Sequence, residues 1–209
     1  MSQDMKTPKL SRNLPQFRST ALVAVGSNTS LGGKPLFSTI DRALDILAGK
    51  AGVIRSVSRY FSTPAFPAGS GPDFVNAAFE WSADLSARDM MTVLHDVEQE
   101  LGRVRRERWG ARTIDLDLIA VGDTIHPDIA TYQHWMDLPL ADQQAKAPGE
   151  LILPHPRVQD RGFVLVPLCD IAPDWRHPVL NKTAQELRDA LPQEELESVK
   201  PLENRAEQP

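Results

Sequence analysis

Apolar side chains recur along this chain with two periods, and the switches between them mark the elements. Ala21–Val25 is a short apolar run that ends at Gly26-Ser27-Asn28, a turn signal. Leu36, Ile40, Leu44 and Leu47 then follow at helical spacing, closed by Gly49 and Gly52. Val53–Phe61 alternates like a strand, and a loop rich in proline and glycine leads to a second strand at Phe74–Trp81. There Val75, Ala77, Phe79 and Trp81 share one face, and Phe74, Asn76 and Ala78 share the other. Ser86 and Asp89 have the spacing of a capping box before a helical stripe of Met90, Leu94, Val97 and Leu101, which Gly102 stops. Thr113–Val121 returns to strand alternation.

The order β-α-β-β-α-β predicts an α+β (α/β) ferredoxin-like sandwich, with helical additions toward the C-terminus. One domain is expected over residues 21–180, carrying a surface insertion at about 124–150. A flexible extension, 1–20, precedes it, with four basic side chains against one acid and no apolar core of a secretory signal. An acidic tail, 181–209, follows it, with one short helix expected at Ala184–Leu191. The apolar share, 41%, permits a packed core, and no apolar run approaches the roughly 20 residues of a membrane span. The net charge of −5 argues against a general nucleic-acid binder. A lone cysteine, Cys169, forms no internal disulfide and reads as a buried side chain in a reducing, cytoplasmic setting.

The most informative stretch is Arg112-Thr113-Ile114-Asp115-Leu116-Asp117-Leu118. On a strand, Ile114, Leu116 and Leu118 point to the core, and Asp115 and Asp117 lie side by side on the opposite face. Adjacent carboxylates repel unless they share a cation, and hard oxygen ligands suit Mg²⁺, which completes its shell with phosphate and water. Residues 102–112, just before the pair, hold five arginines and one glutamate. Guanidinium forks beside a carboxylate pair are the equipment of metal-assisted phosphoryl transfer. A solvated charged turn is the simpler alternative, but it leaves the interruption by Trp109-Gly110 unexplained.

Several motifs occur in order: Gly26-Ser27-Asn28, Pro72-Asp73-Phe74-Val75-Asn76-Ala77, Arg108-Trp109-Gly110 through Asp117, Pro154-His155-Pro156 and Arg161-Gly162-Phe163. Together they closely resemble the 6-hydroxymethyl-7,8-dihydropterin pyrophosphokinase family over about Ala21 to Trp175. The resemblance implies transfer of pyrophosphate from ATP to 6-hydroxymethyl-7,8-dihydropterin, with release of AMP. It implies that Asp115 and Asp117 ligate two Mg²⁺ ions and that Arg103 and Arg112 stabilise the transferring phosphates. Glu98, Arg105, Trp109, His155 and Arg161 then match ATP contacts, Arg105 and Trp109 lying on a loop that closes over the substrates. Phe74 and Phe163 match rings that sandwich the pterin. Asn76 matches its hydrogen-bonding partner, and Thr63, Pro64 and Phe66 match the pocket wall. A monomer acting without nucleic acid or membrane is expected.

Some positions depart from the family pattern. The arginine-rich loop is one residue shorter than in some relatives, which leaves Arg106 and Glu107 without assigned roles. Ala111 stands where proline is common, and Pro156 where some relatives carry an aromatic. The segment between Asp123 and Leu153 is longer than usual and includes Tyr132, His134, Trp135 and Met136. Two other classes were weighed: a different ATP-dependent phosphotransferase on the same scaffold, and a ferredoxin-like nucleic-acid module. The second lacks the interleaved aromatics of an RNA-binding sheet. At 209 residues there is no room for a fused (β/α)₈ barrel, which takes about 250.

Overall fold

The runs with period-two alternation pair into a single antiparallel sheet. The computed structural model describes residues 19–65, 71–102, 113–139, 142 and 146–202. Strand β1 (Ser19–Ser27) runs through the middle of the sheet. After it come helix α1 (Leu36–Lys50), β2 (Val53–Val57), β3 (Phe61–Thr63) and β4 (Phe74–Ala83). Helix α2 (Ala87–Glu100) and β5 (Asp115–Val121) complete the core unit. β1 lies between β4 and β5, and β2 and β3 pair with opposite ends of β4. β1 and β2 thus run in the same direction with β4 between them, the split βαβ arrangement expected from element order. Among the described residues no helix is long and apolar enough to cross a membrane.

Val53–Phe61, read as one strand, is broken in two by Ser58. Its backbone N–H donates to the Ala78 carbonyl at 2.9 Å, but its hydroxyl, not a strand carbonyl, accepts from the Ala78 N–H at 2.9 Å. The side chain substitutes for one rung, and the ladder cannot continue past it.

Both faces of the sheet are covered, unequally. α1 and α2 bury Val23, Val25, Val75, Phe79, Trp81, Leu116 and Leu118 against Ile40, Leu47, Met90, Leu94 and Val97. Each fully buried aliphatic side chain of this kind contributes about 1.5–3 kcal/mol. α2 starts as expected, with the Ser86 hydroxyl accepting from the Asp89 N–H at 3.1 Å. On the opposite face Leu22, Ala24, Ala78, Ile119 and Ala120 pack against two later helices. Burial on both sides explains why β1 reads as a continuous apolar run.

Strand β5 serves both cores through a bulge. Val23 pairs with Leu118 and Leu22 with Ala120, so Ile119 is one residue too many. Before it, Leu116 and Leu118 face the α1–α2 core; at and after it, Ile119 and Ala120 both enter the second core. The Ile119 carbonyl, displaced from the ladder, accepts the His155 N–H at 2.7 Å.

The segment expected as an insertion holds helix α3 (Ile129–Met136), capped by Asp128, whose carboxylate accepts from the Thr131 N–H at 2.9 Å. Tyr132 of α3 is fully buried, and its hydroxyl meets His177 Nε2 at 2.8 Å. His177 Nδ1 accepts from the N–H groups of Val179 and Leu180, so Nε2 carries the proton and donates to the tyrosine oxygen. Burial pulls the His177 pKa down to about 4 from an ordinary 6.5. The unfolded chain therefore binds the extra proton between those values, and the stability this histidine contributes is complete above pH 6.5 and drains as pH falls toward 4. Melting temperature should fall across that window, and His177→Gln should flatten part of the slope; an unaltered slope in the variant would remove His177 from the account.

The C-terminal stretch packs further than its acidic composition suggests. Helix α4 (Gly162–Ile171) lies across β4, and α5 (Ala184–Asp189), the expected short helix, packs on α4. Where a solvated tail was expected, helix α6 (Gln193–Ser198) and strand β6 (Lys200–Pro201) follow, and β6 pairs with β3. Ala184, Leu187 and Val199 are the buried anchors. Of the expected extension 1–20, Ser19 and Thr20 belong to β1, and residues 1–18, like 203–209, lie outside the described residues.

Candidate active site

Asp115 and Asp117 open β5 on the face opposite Leu116 and Leu118, both half-buried, as alternation predicts. That is the face covered by α4 further along the sheet, but here no apolar layer of described residues lies over it. Asp117 Oδ2 is 3.2 Å from Arg161 Nη1, an ion pair whose side chains keep 35% and 20% of their exposure. The donor set fits a hard divalent cation: two carboxylates, with no thiol between them. Among the described residues no group of three His, Cys, Asp or Glu side chains gathers. Two carboxylates match an ion that fills its other positions with phosphate and water.

Register then connects this pair to the expected ring pocket. Asp115 pairs with Gly26 on β1, and Gly26 pairs with Asn76 on β4, so the three occupy one row on one face. Two strand spacings separate the ends of the row, about 10 Å. Asn76 is buried and its Nδ2 donates to Thr63 Oγ1 at 2.7 Å. Gly26 is needed for this: a Cβ there would stand 2.7 Å from Asn76 Oδ1 and 3.7 Å from Phe74 Cδ1. Phe74 lies on the same face, opposite Thr63, with exposed Pro64 next to it. Phe163, in the first turn of α4, is 37% exposed, unusual for a phenylalanine on an otherwise apolar helix. Its ring lies 5.6 Å from the Arg161 guanidinium.

His155 sits beside these groups, held by its N–H on the β5 bulge. Its Nδ1 accepts from the Arg157 N–H at 3.2 Å, which leaves Nε2 as the protonated nitrogen of the neutral ring. Burial, reinforced by Arg161 and Arg157, holds its pKa well below the usual value, so the ring is neutral near pH 7. Arg157 was not singled out from sequence. Burial and the charge of Arg161 push its pKa down, and its Nε is buried with no hydrogen-bond partner among the described residues. Two arginines and an imidazole donor clustered this way form an anion-attracting corner.

Other side chains set the frame. Ser27 donates to the Thr113 carbonyl at 2.6 Å and Asn28 Nδ2 to the Pro72 carbonyl at 3.3 Å. The Gly-Ser-Asn turn thereby fixes one end of each flanking loop. Glu98, matched to a nucleotide contact, is a buried carboxylate with 2% exposure. Its Oε1 accepts from the Leu116 N–H at 2.8 Å, pinning β5 between the two aspartates. The signal for its burial was present, since Glu98 lies four residues past Leu94 and three before Leu101, on the apolar stripe. Cys169 is half-buried, and burial pushes its thiol up to about 11, the opposite of a reactive thiolate. Phe66, Arg103, Arg105, Arg106, Glu107, Trp109 and Arg112 lie outside the described residues.

Along one face the described residues offer two half-buried carboxylates, a cationic corner and, further along, Asn76 beside Phe74. Comparisons with known proteins place the chain by family and fold. The model of the 7,8-dihydro-6-hydroxymethylpterin-pyrophosphokinase (HPPK) family matches residues 22–173. The 2-amino-4-hydroxy-6-hydroxymethyldihydropteridine pyrophosphokinase of Synechocystis sp. is 35% identical over 176 residues, covering 84% of this chain and 77% of the relative. That of Pseudomonas aeruginosa is 35% identical over 156 residues, covering 75% and 82%. A crystal structure of Plasmodium falciparum wild-type HPPK-DHPS superposes with TM-score 0.59 at 14% identity, which bears on the fold alone. The match covers 82% of this chain and 44% of that longer one.

Proposed function

This chain belongs to the 7,8-dihydro-6-hydroxymethylpterin-pyrophosphokinase family, whose members act in folate biosynthesis, and on that premise we propose that it transfers pyrophosphate from ATP to 6-hydroxymethyl-7,8-dihydropterin. The observation that carries the reading is the row Asp115–Gly26–Asn76, which sets a phosphate-handling end and a ring-binding end about two strand spacings apart. The pterin would stack between Phe74 and Phe163, with Asn76 oriented by Thr63 toward its polar edge and Pro64 and Phe66 beside it.

Asp115 and Asp117 would hold Mg²⁺, two ions by the family match; when bound, these supply neutralising charge at the triphosphate. Every other contribution is the chain's own. Arg161 donates to Asp117, and an incoming phosphate offers it a second acceptor of the same kind. The neutral His155 presents Nε2–H as a donor without adding a charge to repel the arginines. Arg103, Arg105, Trp109 and Arg112 are assigned by sequence match to clamping phosphate and closing over the site, and Glu98 to the nucleotide side through the β5 backbone.

The pterin hydroxymethyl oxygen attacks the β-phosphorus. A new O–P bond forms as the bond from that phosphorus to the α,β-bridging oxygen breaks, AMP leaves with the electron pair, and the hydroxyl proton passes to water. No covalent nucleophile is required, and catalysis is positioning plus charge stabilisation. We propose a monomer. Product analysis tests the reading: AMP and pterin diphosphate in equal amounts are expected, and ADP with a pterin monophosphate would overturn it.

A further inference from the structure

Helix α4 begins directly after Arg161, yet Arg161 gives it no side-chain cap. The first helical N–H, that of Gly162, donates instead to Oε1 of Glu195 on α6, at 2.7 Å and 33 residues further along the chain. The carboxylate lies where a ten-residue helix carries partial positive charge. It also grips the peptide between two side chains given to substrates, Arg161 and Phe163. Gly162 makes the approach possible, because a Cβ there would stand 2.8 Å from Glu195 Cγ and 3.2 Å from Oε1.

The segment carrying Glu195 is itself anchored. β6 pairs with β3 through Phe61–Pro201 and Ser62–Lys200, immediately before Thr63 and Pro64. Glu194, Glu197 and Lys200 line a cleft of ≈ 330 Å³ with Ser62, Pro64 and Asp73. The C-terminal segment is therefore joined to the chain one residue before Thr63, at Ser62, and one residue before Phe163, at Gly162.

We infer that Glu195 is a positioning residue for the pterin slot: by holding Gly162 N–H it sets the angle at which α4 leaves Arg161 and keeps the Phe163 ring in place for stacking. The inference rests on the function proposed above and assigns a role to a segment outside the family motifs. The action of Glu195 is through the Gly162 N–H.

Pterin binding is titrated by fluorescence in the presence of a non-hydrolysable ATP analogue, with analogue affinity and melting temperature measured alongside. Glu195→Ala should weaken pterin binding about tenfold, the scale of a lost helix cap, and weaken nucleotide binding several-fold less. Glu195→Gln keeps an acceptor oxygen and should recover most of the loss. Gly162→Ala, which displaces the carboxylate from the other side, should match Glu195→Ala, and the double variant should bind no worse than either single one. If Glu195→Ala does not fold, Glu195→Asp, one methylene too short to reach, carries the same expectation. Undiminished pterin affinity in Glu195→Ala, or a lowered melting temperature with pterin binding unchanged, would overturn the inference while the wild type still binds. Failure of the wild type to bind the pterin would instead overturn the functional reading, and this inference with it.

Discussion

Asp117→Asn should lower kcat by about a thousandfold, the upper range for removing one preorganised charge-stabilising group, with the fold retained. The fold should survive because the neighbours of Asp117, Leu116 and Leu118, carry the packing, while Asp117 itself is half-buried on the opposite face. The lost ion pair with Arg161 is partly exposed and costs about 0–1 kcal/mol. Asparagine keeps the shape but loses the charge that a divalent cation needs. Steady-state turnover at saturating Mg²⁺, read beside a thermal melt, checks it, and Asp115→Asn should behave likewise. Nucleotide affinity measured without Mg²⁺ should not fall in Asp117→Asn, because Arg161 is then free of its carboxylate. Ordinary Mg²⁺-dependent turnover in either variant would sink the assignment.

Gly26→Ala should raise the pterin KM by at least about fivefold, since relieving an overpacked contact costs roughly 1–3 kcal/mol. The added methyl would meet Asn76 Oδ1 at 2.7 Å, and Asn76 has little room to yield because it is buried and tied to Thr63. The displacement falls on the ring-binding end of the row, so the ATP KM should change much less. Comparison of the two KM values with the melting temperature decides the matter. Equal rises in both would mean general damage to β1.

The carboxylate pair was legible because it depends only on strand periodicity, which needs no knowledge of partners. The same alternation misled at Val53–Phe61, where the chain looks like one strand; the interruption comes from a serine hydroxyl acting as a backbone surrogate, and composition does not distinguish that serine from any other. Glu98 was recognised by its motif position, but its burial follows from helical spacing that had been applied only to apolar residues. The acidic C-terminal stretch looked solvated because Ala184, Leu187 and Val199 are few and scattered, although they suffice when a sheet edge is available to β6. Glu195 and Gly162 could not be linked from sequence, since nothing local marks a contact across 33 positions.

Ile119 has a consequence for how this chain tolerates length change. Everything before it obeys one phase of in-and-out facing, everything after it another, and the surplus residue absorbs the mismatch. Trimming or adding a residue beyond position 121 would leave the aim of both aspartates undisturbed. Removing Leu116 would have no such remedy: the two acids would become adjacent, and whichever phase the shortened strand adopts, one of them enters the oily interior and the site is disarmed.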